Sequence, residues 1–482
     1  MTPKVIRRTK IVATVGPGSD SSDMIARLIS AGVNVFRLNF SHGTAAHHAK
    51  VAARIRKQAT IAGNYVGIMA DLQGPKIRIG VFKEEYIELD AGDPFRLDLE
   101  LADGEGDIRG VGLEYRELCS SVSRGDTLLL DDGRIRLRVD EVEKTAVECT
   151  VLLGGKLGSR KGINRLGGGL AAPALTAKDL TDIDSLAEVH PDFVAVSFVS
   201  SADDIHQTRE LLQQHDLNPS IIAKIERAEV VADRETLNGI VIASDGVMVA
   251  RGDLGVEVGD AQLIGIQKEL ISKARRMDRV VITATQMMES MIENPMPTRA
   301  EVFDVANAVL DGTDAVMLSA ETAVGKFPVE VVVAMSEAAL GAERQAVTRT
   351  SRFRENREFS SAQETIAMSA IYAANHYGNV RGIACLTQSG RTPLLMSRLS
   401  SGRPIFALSH VSETLQKLCL CRGVVPLFFD AEAFDSENVE PSAIEFLLDG
   451  GYLSKEDSIL LTRGERMGTA GSTNIMKILS VR

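Results

Sequence analysis

The chain has 482 residues, 44% hydrophobic and 25% charged, with a formal net charge of −11. That length suits about three domains, and the balance excludes a disordered, fibrous or membrane-spanning chain. The acidic surface speaks against a nucleic-acid role, and five sparse cysteines with no signal-like apolar start predict a cytoplasmic protein whose thiols are reduced and mostly packing.

Short apolar runs alternate with helical segments. The first run is Ile11 to Val15, followed by a helix from about Ser22 that stops before Gly32. Then come Val33 to Phe40, a helix over Ala45 to Ile61, and a third strand, Val66 to Leu72. Three βα steps predict a parallel sheet. From Pro75 to Leu170 helical periodicity nearly vanishes and turn signals such as Gly92-Asp93-Pro94 and Asp131-Asp132-Gly133 punctuate short alternating runs. This reads as an inserted antiparallel β domain, with Gly167-Gly168-Gly169 as its return hinge. The βα rhythm resumes at Thr176, whose pairing with Asp179 signals a helix start, as does Thr298 with Glu301. Strands follow at Phe193–Val199, Ile221–Ile225, Val247–Ala250, Val280–Thr285 and Ala315–Leu318.

Three strands before the insert and five after it make eight. Without the insert, the length is close to the ~250 residues of a (β/α)8 barrel. The expected fold is therefore α/β: a (β/α)8 TIM barrel from residues 1–74 and 171–345, a small β-barrel lid over 75–170 inserted after strand 3, and a C-terminal α/β domain over 346–482. A doubly wound open sheet is the alternative. The polar stretch 346–360 reads as a linker, and the last domain carries strands at Gly382–Thr387, Ile405–Leu408, Val424–Phe429, Ile459–Thr462 and Ile475–Leu479.

Barrel active sites form at the C-terminal strand ends. Seven consecutive strands place polar groups there: Arg37, Asn39, Ser41 and His42; Asp71; Ser197; Lys224 and Glu226; Arg251-Gly252-Asp253; Thr285; Ser319 and Glu321. Any one of these is an ordinary solvated strand end, but seven converging are not. Glu226 and Asp253 are hard oxygen donors suited to Mg²⁺. Lys224, two residues before Glu226, shares its strand face and suits charge developing on a phosphoryl group or an enolate oxygen. Arg37 offers a forked donor. No Gly-x-x-x-x-Gly-Lys-Ser/Thr loop is present, so phosphoryl transfer here needs another phosphate cradle.

The strings TKIVATVGP (Thr9–Pro17), RLNFSHG (Arg37–Gly43), DLQGPKIR (Asp71–Arg78), IAKIE (Ile222–Glu226), MVARGDLGV (Met248–Val256), TQMMESM (Thr285–Met291), PTRAEVFDVANAVL (Pro297–Leu310) and MLSAET (Met317–Thr322) resemble the pyruvate kinase family, nearly chain-long and in order. The resemblance implies transfer of the phosphoryl group of phosphoenolpyruvate to ADP, giving pyruvate and ATP. It gives Lys224, Arg37 and Thr285 the catalytic roles. Substrate is held by Arg37, Lys224, Gly252, Asp253 and Thr285, with Ser319 and Glu321 beside them. Glu226 and Asp253 take Mg²⁺, with Mn²⁺ as a substitute. Asn39, Ser41, His42, Arg78 and Lys161 face the nucleotide, and the insert acts as a lid. The resemblance also implies a homotetramer.

Many members of that family bind K⁺ at the positions of Asn39, Ser41, Asp71 and the following residue, here Leu72, and carry an acid where this chain has Lys76. An ammonium in that place replaces the charge of the ion, so K⁺ is expected not to be required. In the C-terminal domain, Thr387, Ser389, Gly390, Arg391 and Thr392 form a hydroxyl- and amide-rich turn before a helix, where the family places a sugar-phosphate effector. The late loop Arg463–Ser472 is not strongly basic, which favours a sugar monophosphate or AMP-like effector over a bisphosphate. Two other readings compete: a Mg²⁺-enolate lyase on the same barrel, and a non-catalytic metabolite-binding protein.

Overall fold

The computed structural model describes residues 6–170, 172–349, 358–466, 468–469 and 471–482. Most of the expected linker, with Met467 and Ala470 of the late loop, lies outside them.

Eight parallel strands close a barrel: β1 (Lys10–Val15), β2 (Val35–Asn39), β3 (Gly67–Asp71), β4 (Phe193–Val196), β5 (Ser220–Ile225), β6 (Gly246–Ala250), β7 (Val280–Ala284) and β8 (Ala315–Leu318). Each pairs with its neighbours in chain order, and β1 meets β8 with Lys10 opposite Ala315. Helices cross between the strands and stop where the sequence signals. Ser21 caps Ser22–Ala31 and Gly32 ends it at φ 108°. The Thr176–Asp179 and Thr298–Glu301 capping boxes both form. The fourth strand ends three residues earlier than expected, because Phe198 takes φ 52° and turns the chain out of the sheet.

The insert holds a six-stranded and a two-stranded sheet over a single core that includes Phe95, Leu128, Leu137 and Leu157. It is not wholly antiparallel: Pro94–Asp98 pairs in parallel with Gly110–Gly112. A parallel pair needs a crossover of about a dozen residues, which the intervening loop supplies. Gly167, Gly168 and Gly169 all have positive φ, a run that side chains would resist. This return is anchored, since the Gly167 N–H donates to Glu257 O at 2.9 Å.

The C-terminal domain is a five-stranded sheet, parallel except for its last strand, Thr473–Ser480. Its core is continuous with the barrel interior: Val12, Met69, Met248 and Met317 share one buried cluster with Ala370, Leu395 and Leu420. The C-terminal domain thus seals the N-terminal end of the barrel and leaves the other end for the site. Four of the five cysteines are buried, and burial pushes the thiols of Cys149, Cys385, Cys419 and Cys421 up to about 12, in keeping with packing.

Candidate active site

At the open barrel end the polar residues form one charge network. Arg37 Nε lies 2.6 Å from Asp71 Oδ2, and Nη1 donates to Thr14 Oγ1 of β1 at 3.1 Å. Lys224 Nζ stands 3.4 Å from Asp71 Oδ1 and 3.0 Å from Glu226 Oε1, and donates to Ser197 Oγ at 2.6 Å. Asp71, only 1% exposed, therefore bridges the two cations. Burial pushes its carboxyl up, but Arg37 and Lys224 reverse this and hold it below the usual carboxylate range. Burial alone would lower the Lys224 ammonium; Asp71 and Glu226 outweigh it and keep it charged, with its pKa above the ordinary value. The arrangement sets one fixed ammonium and one guanidinium, both oriented, at the barrel mouth.

Glu226 Oε2 accepts the Phe198 N–H at 2.6 Å, which the turn at Phe198 aims at it. Its Oε1 is buried and meets only the Lys224 ammonium, at 3.0 Å. Burial above all, and then the nearby Asp253 carboxylate, raise the Glu226 pKa against the pull of Lys224; two such carboxylates fit a hard divalent cation. Among the described residues no group of three or more His, Cys, Asp or Glu side chains converges. The protein therefore offers two carboxylates, and the remaining ligands would be water and substrate oxygens.

Helix Arg251–Val258 begins directly at the end of β6. The Gly252 N–H donates to Thr285 Oγ1 at 2.7 Å, and that hydroxyl donates to Ala284 O at 2.7 Å. Thr285 and Gln286 sit at φ 69° and 53°, a strained turn. Buried Arg251 holds it, donating to Thr285 O at 2.6 Å and to Asp304 Oδ1 at 2.8 Å. Glu321 accepts the N–H groups of Ser319 (2.6 Å) and Met288 (3.3 Å), and so shapes the turn after β8. At the far end of helix Arg251–Val258, Glu257 accepts from the Ala228 N–H at 2.8 Å and from Asn164 Nδ2 of the inserted domain at 3.3 Å. Burial pushes its carboxyl up to about 7.

Asn39 Oδ1 accepts the Ser41 N–H at 3.2 Å. His42 is exposed, and its carbonyl is met by the His48 ring at 2.8 Å. Leu72 is buried and its carbonyl accepts from Ser197 Oγ at 2.7 Å. Arg78 and Lys161 stand on the inserted domain, engaged with Arg160 O at 2.9 Å and Asp131 Oδ1 at 2.8 Å. Lys76 Nζ lies 3.7 Å from Asp253 Oδ1, which puts its ammonium at the site. Sequence reasoning missed Thr14 and the holding role of Arg251, and saw Asp71 only as a cation ligand.

In the C-terminal domain, Thr387, Ser389 and Thr392 line a cleft with His410, Glu432 and Arg466; it encloses only about 40 Å³. Gly390 N donates to Thr387 Oγ1 at 3.0 Å. Arg391 faces the barrel instead, 3.4 Å from Asp278 Oδ2.

Residues 6–332 match the family described as pyruvate kinase, barrel domain, and residues 364–479 match pyruvate kinase, alpha/beta domain. The chain is 53% identical over 476 residues to a pyruvate kinase of Haemophilus influenzae and 52% identical over 476 residues to pyruvate kinase II of Salmonella typhimurium, with 99% of each chain covered. A crystal structure of a pyruvate kinase from Cryptosporidium parvum superposes with a TM-score of 0.90 at 34% identity, covering 99% of this chain and 96% of that one.

Proposed function

Since the chain belongs to the pyruvate kinase family of phosphotransferases, we propose that its reaction runs through the network at the open barrel end. The observation that carries this is the pairing of Arg37 and Lys224 through Asp71, with the buried Glu226 carboxylate against the same ammonium. Arg37 and Lys224 grip the phosphoryl group of phosphoenolpyruvate. As the bond from phosphorus to the enol oxygen breaks, the phosphoryl group passes to the terminal phosphate oxygen of ADP, and the enolate carbon then takes a proton. Lys224 opposes charge on the transferring group and on the enolate oxygen. The Gly252 and Asp253 amides and Thr285 receive the substrate carboxylate, with Thr285 on the side from which the proton arrives. Ser319 and Glu321 frame the pocket. Glu226 and Asp253 would hold Mg²⁺ or Mn²⁺, which supplies charge neutralisation when bound. Asn39, Ser41 and His42 from the barrel, with Arg78 and Lys161 from the lid, take the nucleotide. The lid (75–170) closes over the barrel (1–74 and 171–345) and excludes water.

K⁺ is not required in this reading. The Lys76 ammonium beside Asp253 supplies the charge that the ion would bring to the Asn39, Ser41, Asp71 and Leu72 pocket.

The C-terminal domain (346–482) binds an effector at the turn of Thr387, Ser389, Gly390, Arg391 and Thr392, where the Arg391 side chain would have to leave Asp278 to reach the ligand. A sugar monophosphate or AMP-like ligand is favoured because Glu432 lines the cleft, and Arg463 of the late loop is paired with Glu440 at 2.8 Å. The chain assembles as a homotetramer. Two sets of exposed apolar side chains support this: Met296 and Phe303 on the barrel, and Tyr372 and Ile478 beside the unpaired edge of Thr473–Ser480.

The test is a pyruvate-detecting coupled assay with phosphoenolpyruvate and ADP in K⁺-free buffer, with and without a panel of sugar phosphates. Pyruvate and ATP in equal amounts are expected, with activation by monophosphates. Pyruvate without ATP would favour a lyase.

A further inference from the structure

Behind the barrel, opposite the active site, lies a cleft of about 530 Å³ between helix Pro328–Glu343 and the C-terminal domain. That volume is typical of a small-molecule site. Arg8, Arg344, Arg349 and Arg403 line it, and Glu343 is its single acid. Glu343 is fully engaged: it accepts the Thr9 N–H at 2.6 Å, the Thr9 hydroxyl at 2.7 Å and the Arg8 N–H at 3.0 Å. Arg8 is likewise satisfied, donating to carbonyl oxygens of Thr348, Ser401 and Glu343. Arg344 and Arg403 make no side-chain hydrogen bond or ion pair among the described residues.

A second observation deepens the charge excess. Arg422 is buried behind Arg8, tied to it through the Gly423 N–H, which donates to Arg8 O at 2.8 Å. Arg422 Nη2 is buried with no hydrogen-bond partner. Burial first, then Arg8 and Arg275, press its guanidinium below the ordinary value. On a chain of net charge −11, the four guanidinium groups lining the cleft around one engaged carboxylate make a local positive excess that a bound anion would offset, while Arg422 behind them has Asp314 as well as Glu343 nearby.

We propose that this cleft binds a phosphate monoester, its dianion held by the guanidinium forks of Arg344, Arg349 and Arg403. Asn375 donates through Nδ2 to Ser400 O at 3.1 Å, which leaves Oδ1 for a hydroxyl of the ligand. Arg344 follows the helix behind β8, and Arg403 precedes the C-terminal strand Ile405–Ser409. A ligand there ties the two domains together and is placed to act as an effector. The site is separate from the Thr387 turn and does not depend on the active-site assignment.

Calorimetric titration of the full chain with a hexose monophosphate, in low and high salt, tests this. Three proteins are compared: the unaltered chain, Arg344→Gln/Arg403→Gln, and Thr387→Val/Ser389→Ala. Arg344 is exposed and Arg403 half-buried, and thermal melting verifies that each variant is folded. The expected result is a salt-weakened binding component that falls about tenfold or more in the arginine variant and persists in the hydroxyl variant, distinct in stoichiometry from any component that the hydroxyl variant removes. Unchanged affinity in the arginine variant overturns the proposal. So does loss confined to the hydroxyl variant, or no binding by the unaltered chain at millimolar ligand.

Discussion

Arg398 and Asp314 form a salt bridge with essentially no solvent exposure, Nη1 lying 2.8 Å from Oδ2. Asp314 immediately precedes β8, and Arg398 follows the helix that begins at the Thr387–Thr392 turn. Asp314 also accepts the N–H groups of Val281 (2.9 Å) and Arg422 (3.0 Å). One carboxylate therefore joins β7, β8 and the C-terminal domain.

Asp314→Asn leaves Arg398 buried without a counter-charge. A loss of about 3–5 kcal/mol is expected, read as a lower urea midpoint. Arg398→Met/Asp314→Leu should lose less than the sum of the single changes. A single variant with the unaltered midpoint would refute this.

Lys224→Met removes the ammonium between Asp71 and Glu226. Turnover should fall on the order of 10²–10³-fold or more, with a smaller change in apparent substrate affinity. Steady-state kinetics with a melting control measures it. Near-normal turnover would remove Lys224 from its proposed role.

Lys76→Glu places an acid beside Asp253. The variant should lose activity in tetramethylammonium buffer and regain it when K⁺ is added, while the unaltered chain shows little response to K⁺. Strong K⁺ stimulation of the unaltered chain would count against the replacement-charge reading.

Glu257 gives a pH signature. Burial pushes its carboxyl up to about 7 in the folded protein, above the ordinary glutamate value of about 4.5. The folded state thus holds the proton more tightly, so stability falls as pH rises from about 4.5 to about 7 and levels off above. The Glu257 contribution across that window is about 3 kcal/mol. Glu257→Gln should flatten that slope in urea unfolding followed from pH 5 to pH 8. An unchanged slope would show that Glu257 is not its source.

The barrel was legible because strand-length apolar runs and helix caps repeat locally: Ser21, Gly32, the Thr176–Asp179 box and the Thr298–Glu301 box are all short-range signals. The site residues were legible because each follows an apolar run. How they pair was not. The meeting of Asp71 with both Arg37 and Lys224 joins three strands, and only the closed barrel brings them together. The Arg398–Asp314 pair spans 84 positions, and the parallel pairing of Phe95's strand depends on a crossover loop. The turns at Phe198 and Thr285 put ordinary side chains at positive φ, which no residue preference announces.

The barrel closes where β1 meets β8, with Lys10 against Ala315 and Ala13 against Leu318. During synthesis the first strand therefore has an open edge until nearly two-thirds of the chain has emerged. The insert, with its own core, can settle long before then. Contacts of such high sequence separation make closure slow, and the waiting edges of β1–β3 expose unpaired N–H and C=O groups to neighbouring nascent chains. Aggregation during expression should thus track the time needed to reach β8 more closely than the stability of the finished barrel.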